Sequence, residues 1–208
     1  MAPGPDTHTY YPADGHGLPH DPFNAIVAPR PIGWVSTLSA DGVVNLAPYS
    51  FFNAFNYVPP IVGFASLGHK DSVTNAETTG GFCWNLATED LAEQMNATSA
   101  TVAADVDELA LAGLTPVAGD VVDVPYVAET PVSFECRTSQ VVRLTTAAGD
   151  PVDTWLVLGE VVAVHIARSA LTDGIYDTAA ARPLLRGGGP STYFGIRPEH
   201  RLEMRRPR

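Results

Sequence analysis

The sequence predicts a mainly β protein, a closed or split antiparallel barrel with short helices on its flank. Two long segments, residues 132–144 and 154–166, are rich in valine and threonine and partly alternate apolar with polar side chains, a pattern that suits strongly curved barrel strands. Helices do not separate the predicted strands at regular intervals, which argues against a doubly wound parallel sheet. A chain of 208 residues is long enough for one such barrel as a single domain with decorations.

The first half of the chain supplies a hairpin, a buried strand and a helix. Residues 32–39 have the pattern of a strand, and the turn sequence Ala40-Asp41-Gly42 leads into the next strand. The apolar run at 61–66 is typical of a buried strand. A helix is expected to begin at Asp71-Ser72, whose side chains can cap the first amides, and to end at Gly80-Gly81.

Another strand at 82–87 precedes two further short helices. The first carries Leu91 and Met95 on one face, as residues four apart do on a helix. The second spans 107–112 and ends at Gly113. The two long β segments follow, so the helices are expected on the flank of the barrel.

Composition divides the chain into three regions. Residues 1–22 are rich in proline, glycine, histidine and aspartate and predict an arm that lies over the domain or over a partner. Residues 23–196 form the predicted barrel domain. Residues 197–208 contain five arginines and predict a basic tail that is solvated or docked on a partner.

The charge distribution excludes some classes of partner. The formal charge is -11, and without the basic tail the chain carries seven basic and 21 acidic residues, or -14. Such a body repels nucleic acid and anionic membranes. The N-terminus lacks the charged and apolar regions of a signal peptide, and Cys83 and Cys136 are too few for a disulfide framework. We therefore expect a soluble, cytoplasmic protein without nucleic-acid or membrane partners.

One lysine occupies a position suited to anion binding. Lys70, the only lysine of the chain, lies in the sequence GHKDS between a predicted strand end and a predicted helix start, where amide groups and a partial positive charge attract anions. By itself it can equally be a surface lysine. Arg30, Ser36 and Thr37 lie on strand positions that an antiparallel barrel can bring beside it. Together these four residues predict a phosphate site.

The segment from Asn45 to Asn53 predicts the other end of the ligand. Pro48 is incompatible with an ordinary central strand, so some backbone amides and carbonyls are expected to be free. Such groups match the polar edge of an isoalloxazine ring, which favours flavin mononucleotide (FMN) as the ligand. The six histidines form no metal-ligand pattern, and no hydrolase, phosphate-loop or complete dinucleotide-binding motif is present. No metal site is expected.

Five motifs in order identify a family resemblance. They are RPIGWVST at 30–37, NLAPYSFFN at 45–53, HKDS at 69–72, ELALAGLTP at 108–116 and RPLLRGGGPSTYF at 182–194. With these motifs the chain resembles the flavin reductase-like, FMN-binding split-barrel family, particularly the group that includes nitrilotriacetate monooxygenase component B and flavoredoxin.

The resemblance implies a Greek-key split barrel that forms a homodimer with FMN at or near the subunit interface. The residues that it assigns to the phosphate or the ribityl chain are Arg30, Ser36, Thr37, Lys70 and Ser72. Those that it assigns to the isoalloxazine ring are Ala47, Pro48, Tyr49, Ser50, Phe51 and Asn53, and Tyr193 is a weaker candidate for the cofactor region. His69 stands where many relatives carry arginine.

The reaction implied by the resemblance is hydride transfer from NADH or NADPH to the flavin, followed by oxidation of the flavin by a second flavin, a monooxygenase partner or oxygen. The cofactor carries this chemistry, so no catalytic side chain is expected. Two other functions stay open from the residues alone. One is an FMN-binding electron carrier reduced by a protein donor, and the other is a non-catalytic split-barrel binding module.

Overall fold

The structure, a computed structural model, describes residues 6–207. The first five residues of the predicted arm and the last residue of the predicted tail lie outside this range. The described chain is mainly β. Its helices are α1 (Phe23–Ile26), α2 (Asp71–Thr79), α3 (Ala92–Ala97) and α4 (Glu108–Leu111). Its strands are β1 (Arg30–Pro31), β2 (Gly33–Leu38), β3 (Val44–Tyr49), β4 (Phe52–Asn56), β5 (Ile61–Leu67), β6 (Gly81–Asn85), β7 (Pro116–Val117), β8 (Tyr126–Val127), β9 (Val132–Thr145), β10 (Pro151–Ile166), β11 (Leu171–Thr172), β12 (Ile175–Tyr176), β13 (Leu184–Arg186) and β14 (Tyr193–Gly195).

A seven-stranded antiparallel sheet, in the order β3-β2-β6-β9-β10-β5-β4, forms the body of the protein. Its two edge strands, β3 and β4, are consecutive in the chain and are separated only by Ser50 and Phe51. Strands at opposite edges can follow one another this closely in the chain only if the sheet curls. The predicted split barrel is confirmed.

Side chains that alternate along β2 divide the core into two layers. Val35 packs inside the curled sheet with Phe64, Phe82 and Trp84. Its neighbour Trp34 faces the other way and packs with residues of α3 and α4. Helices α3 and α4 therefore cover the outside of β2 and β3, as expected for a barrel with helices on its flank, whereas Val73 and Ala76 of α2 pack in the inner layer.

The observed α2 ends as predicted but begins differently. Gly80, at φ +76°, terminates it in the left-handed conformation that glycine adopts without strain. Lys70 is the N-cap residue, and no side chain caps the helix. The prediction that Asp71 and Ser72 cap the first amides is wrong, because no side chain caps the helix and the Ser72 hydroxyl donates instead to Asn45 at 2.6 Å.

The segment 45–53, which we predicted to differ from an ordinary central strand, is largely edge strand. β3 continues through Pro48, which lies opposite Trp34 of β2. Because β3 is an edge strand, Pro48 needs no amide hydrogen for a second neighbour. The irregular part is confined to Ser50 and Phe51 between the two edge strands.

A second, three-stranded sheet in the order β1-β13-β14 joins the C-terminal segment to the start of the barrel. Beyond it, Arg197 forms an ion pair with Glu89, which also pairs with Arg182 at 2.9 Å. Strands β7 and β8, and β11 and β12, form two small hairpin pairs. Among the residues from 6 to 207, no helix combines the length and the apolar character needed to cross a membrane.

Candidate functional site

A cavity of about 370 Å³ opens between α2, β3 and the segment that joins α3 to α4. Its volume falls within the range of small-molecule sites. The wall contains polar and apolar groups from four parts of the chain, namely Asn45, Ala47, Pro48, Tyr49, Lys70, Asp71, Ser72, residues 98–102 and Glu108.

The N-terminus of α2 contributes an anion-binding end to this cavity. The nine-residue helix begins at Asp71, and the absence of a side-chain cap leaves its first amides without side-chain acceptors. Lys70 adds an exposed ammonium group, and it takes part in no ion pair with the residues that the structure describes. Helix amides and a lysine at one place suit a phosphate.

Glu108 lies at the opposite wall and is almost completely buried, with 6% of its surface exposed. Its Oε2 atom accepts hydrogen bonds from the Leu46 amide at 2.8 Å and from the Asn45 side chain. Burial raises the pKa of Glu108 to about 7; the Leu46 amide opposes this rise and the charge of Asp71 adds to it. A carboxyl group that changes protonation near neutral pH therefore borders the cavity.

Asn45 connects the two walls. Because its amide nitrogen donates to Glu108, its Oδ1 faces Ser72 and Thr37, and it accepts from their hydroxyls at 2.6 and 3.3 Å. The hydroxyl hydrogen of Ser72 is thereby directed at Asn45. Ser72 can offer a ligand only an acceptor lone pair while this bond is kept.

Tyr49 closes the inner end of the cavity. Its ring packs against Phe64 with the centroids 4.6 Å apart. Burial raises the pKa of Tyr49. Its hydroxyl is therefore neutral in the physiological range.

Arg30 does not reach this cavity. It lines a different one, and its guanidinium group donates to the backbone carbonyls of Asn24, Val27, Ser50 and Gly187. These bonds join α1, the β3–β4 bend and the C-terminal segment. In the structure Arg30 therefore stabilises the backbone by linking these segments. Lys70 is the cation among the residues that line the first cavity.

Ser36 and Thr37 are also directed away from a ligand. Both are fully buried. The Ser36 hydroxyl donates to the Pro125 carbonyl at 2.6 Å, and Thr37 accepts from the Asn75 amide at 3.1 Å. Thr37 contributes indirectly, since it helps to fix Asn45.

The residues that the family resemblance assigns to the isoalloxazine ring are divided between two cavities. Ala47, Pro48 and Tyr49 line the cavity beside Lys70. Phe51 and Asn53 line a second, larger opening of about 500 Å³, where Arg30 stands 5.5 Å from the Phe51 ring centroid.

Two predicted residues line neither cavity. Ser50 forms the bend between the two cavities, and its carbonyl accepts from Arg30 at 2.9 Å. Tyr193 lies on β14 under the guanidinium group of Arg186 at 4.8 Å.

One cluster of carboxylate and imidazole groups contains the residue types of a metal site but has a structural role. Ligand atoms of Asp120, Glu135 and His165 lie within 4.8 Å of one another. Both oxygens of the buried Glu135 already accept hydrogen bonds, from three consecutive amides at residues 120–122 and from His165 at 2.7 Å. The cluster therefore fastens the 119–124 loop to β9.

The sequence interpretation overlooked Glu108 and the segment 98–102 at the site. It included Asn45 in the predicted ligand segment but did not predict that Asn45 connects Ser72 with Glu108. The motif ELALAGLTP pointed to the region of Glu108, but its apolar pattern suggested only a helix. The segment TSATV had no recognisable pattern. Their role depends on which strand the helices pack against.

Comparison with known proteins places this geometry in context. An uncharacterized protein of Halalkalibacterium halodurans is 37% identical over 169 residues, 78% of this chain and 80% of the relative. An uncharacterized protein of Aquifex aeolicus is 36% identical over 170 residues, 79% of this chain and 83% of the relative.

Solved structures agree in fold over most of the chain. Nitrilotriacetate monooxygenase component B from Bacillus cereus superimposes with a TM-score of 0.82 at 27% identity, covering 98% of both chains. The 2-nitrobenzoate 2-nitroreductase NbaA of Pseudomonas fluorescens gives a TM-score of 0.77 at 26% identity, covering 89% of this chain and 88% of that one. The model of the flavin reductase-like domain matches residues 27–185. The chain therefore belongs to the flavin reductase-like domain family.

Proposed function

We propose that this protein is an FMN-binding oxidoreductase that uses NADH or NADPH to reduce flavin for an acceptor such as a monooxygenase partner. The observation that carries the proposal is the cavity in which Lys70 and the uncapped start of α2 face Ala47, Pro48 and Tyr49 of β3. Family membership and the 27% identical monooxygenase component B support the assignment to flavin reduction.

The residues present fit a flavin phosphate at one end of the cavity. Lys70 supplies a full positive charge, and the first amides of α2 supply donors without competition from a capping side chain. Asp71 adds a negative charge at the same helix start and Glu108 lies opposite, so the charge of the site depends on the protonation of Glu108. Lys70 is the residue that we assign to the phosphate.

The other end of the cavity suits the ring system. Ala47, Pro48 and Tyr49 present an edge strand whose outer backbone groups have no neighbouring strand in the sheet. Such groups can bind the polar edge of a flat ligand, while Pro48 and the buried Tyr49 ring limit the space around it. When bound, FMN would supply the hydride and electron chemistry, and the protein would supply orientation and exclusion of water.

A flavin titration followed by reduction tests this function. FMN is added to the purified protein, unbound flavin is removed, and the retained absorption band is then followed anaerobically after addition of NADH or NADPH. We expect a stoichiometric band that one of the nucleotides bleaches. Protein that retains no flavin and does not quench flavin fluorescence contradicts the whole proposal.

The same experiment separates reductase from carrier. A flavin band that neither nucleotide bleaches, but that a chemical reductant does, contradicts NAD(P)H oxidation and favours an electron carrier. Solved flavoredoxins share the fold at lower identity.

We also propose that the chain forms a homodimer through the open β4 edge. Phe55 on this strand and Tyr57 and Val58 just after it are strongly exposed, at 54%, 89% and 79%. Burying such a cluster against a second copy removes apolar surface from water. Light scattering at micromolar concentration should give twice the chain mass, and a monomeric mass contradicts the proposal.

A further inference from the structure

The proposed flavin site contains an ionisable side chain, Glu108, on the wall opposite Lys70. The two hydrogen bonds that Glu108 accepts both reach Oε2. No described residue donates to Oε1, so this oxygen is available to carry a proton.

The charge balance of the cavity makes this proton important. The charged side chains that line it are Lys70, Asp71 and Glu108, and Asp107 acts on Glu108 from the same helix start. With Glu108 ionised, the three lining groups sum to one negative charge, and with Glu108 neutral they sum to zero. A phosphate beside Lys70 therefore meets less repulsion when Glu108 is protonated.

We propose that binding of a phosphorylated flavin is coupled to uptake of one proton by Glu108. This inference rests on the function proposed above. It assigns to Glu108 the role of a specificity residue that makes affinity for the phosphate depend on pH, while its Oε2 atom keeps Asn45 in place in both protonation states.

The other titratable groups near Glu108 are distinguishable from it. Asp71 at the start of α2 and Asp107 at the N-cap of α4 are carboxyl groups of the exposed or half-buried surface. The Tyr49 phenol on β3 is held neutral by burial. His69 lies beside Lys70, where its ring contacts Glu77 at 3.0 Å. The experiment therefore includes His69→Gln, which removes this imidazole, as a control.

The first test compares FMN affinity of the wild type and Glu108→Gln from pH 6 to pH 8.5 by quenching of flavin fluorescence. Glutamine keeps an oxygen that can accept from Asn45 and Leu46 but carries no charge. We expect equal affinities near pH 6 and roughly tenfold weaker binding by the wild type at pH 8, because the protonated fraction of a group with a pKa of about 7 falls by about this factor.

Controls isolate the charge of Glu108 and the phosphate. Glu93→Gln removes a charge from an exposed position on α3 and should leave the wild-type pH dependence unchanged. With riboflavin, which lacks the phosphate, the ratio of the two affinities should stay within about twofold across the pH range. An equally large ratio for riboflavin and FMN overturns the role of the phosphate.

Calorimetry at pH 8 in two buffers of different ionisation enthalpy counts the protons directly, and it needs no folded Glu108 variant. The flavin phosphate is already a dianion at this pH, so uptake belongs to the protein. We expect nearly one proton per FMN in the wild type and in His69→Gln. FMN binding without proton uptake overturns this inference but leaves the flavin assignment standing, whereas absence of FMN binding overturns the proposed function itself.

Discussion

Two nearly inaccessible glutamates show opposite uses of a buried carboxyl group. Glu135 accepts from three backbone amides and His165. Burial, the largest single effect, raises its pKa, but the hydrogen bonds from Val122, Asp120, His165 and Val121 together outweigh burial and lower the pKa to about 2. Glu108 accepts only two hydrogen bonds, both at one oxygen, and burial raises its pKa to about 7. The number of donors decides which protonation state folding favours.

The same contrast separates the two cations that the sequence placed at one phosphate site. Arg30 donates hydrogen bonds to four backbone carbonyls, while Lys70 stays exposed at the start of α2. Groups whose hydrogen bonds are fully used hold the chain together. Groups with remaining capacity, Lys70 and Glu108, meet at the cavity and are available to a ligand.

Removing the charge of the saturated glutamate should have the largest effect on stability. Glu135→Gln places an amide NH₂ group among backbone donors, so we expect the free energy of unfolding at pH 7 to fall by about 3 to 4 kcal/mol. Urea denaturation followed by circular dichroism measures the change. Glu93→Gln, the exposed control, should stay within about 0.5 kcal/mol of the wild type.

The pH dependence of Glu135 provides its own check. Because its pKa is lowered in the folded protein, its contribution is present above the unfolded value of about 4.3 and disappears as the pH falls towards 2. A loss below 1 kcal/mol in Glu135→Gln, or a wild type and variant that respond alike between pH 4.5 and 2.5, would contradict the structural role.

In the absence of ligand, the contribution of Glu108 to stability should depend on pH in the opposite direction to that of Glu135. Since folding favours neutral Glu108, its contribution is complete below about pH 4.3 and is lost as the pH rises to about 7. We expect the wild type to lose about 2 to 3 kcal/mol relative to Glu108→Gln over this interval, with water in the cavity reducing the effect. Parallel denaturation curves at pH 5 and pH 7.5 measure the difference, and a constant difference contradicts it.

Replacement of the open cation should affect binding more than folding. Lys70→Ala should weaken FMN binding about tenfold, or by about 1.4 kcal/mol, because a charge-assisted contact to the phosphate is lost. The difference in FMN affinity between Lys70→Ala and the wild type should decrease as the salt concentration rises from 0.05 to 0.5 M. Arg168→Ala, which removes an exposed cation elsewhere, is the matched control. Equal affinities of Lys70→Ala and the wild type remove Lys70 from the proposed phosphate site.

Local patterns predicted most of the elements and part of the site. The valine- and threonine-rich segments are β9 and β10, the glycine pair ends α2, and Lys70 precedes that helix. Pro48 excluded a central strand, in agreement with the edge position of β3, but it did not distinguish an edge strand from a loop. Whether a strand lies at an edge depends on the order of all seven strands, which no local pattern contains.

The sequence by itself determined the β architecture, the family motifs and a lysine at a helix start, because periodicity, turn residues and helix ends are local properties. Only the tertiary structure decided which polar groups stay open. It brought Glu108 to Leu46 across 62 positions of the chain and turned Arg30 towards carbonyls as far away as Gly187. The site is defined by the polar groups that keep free hydrogen-bonding capacity after folding. Long-range packing decides which groups these are.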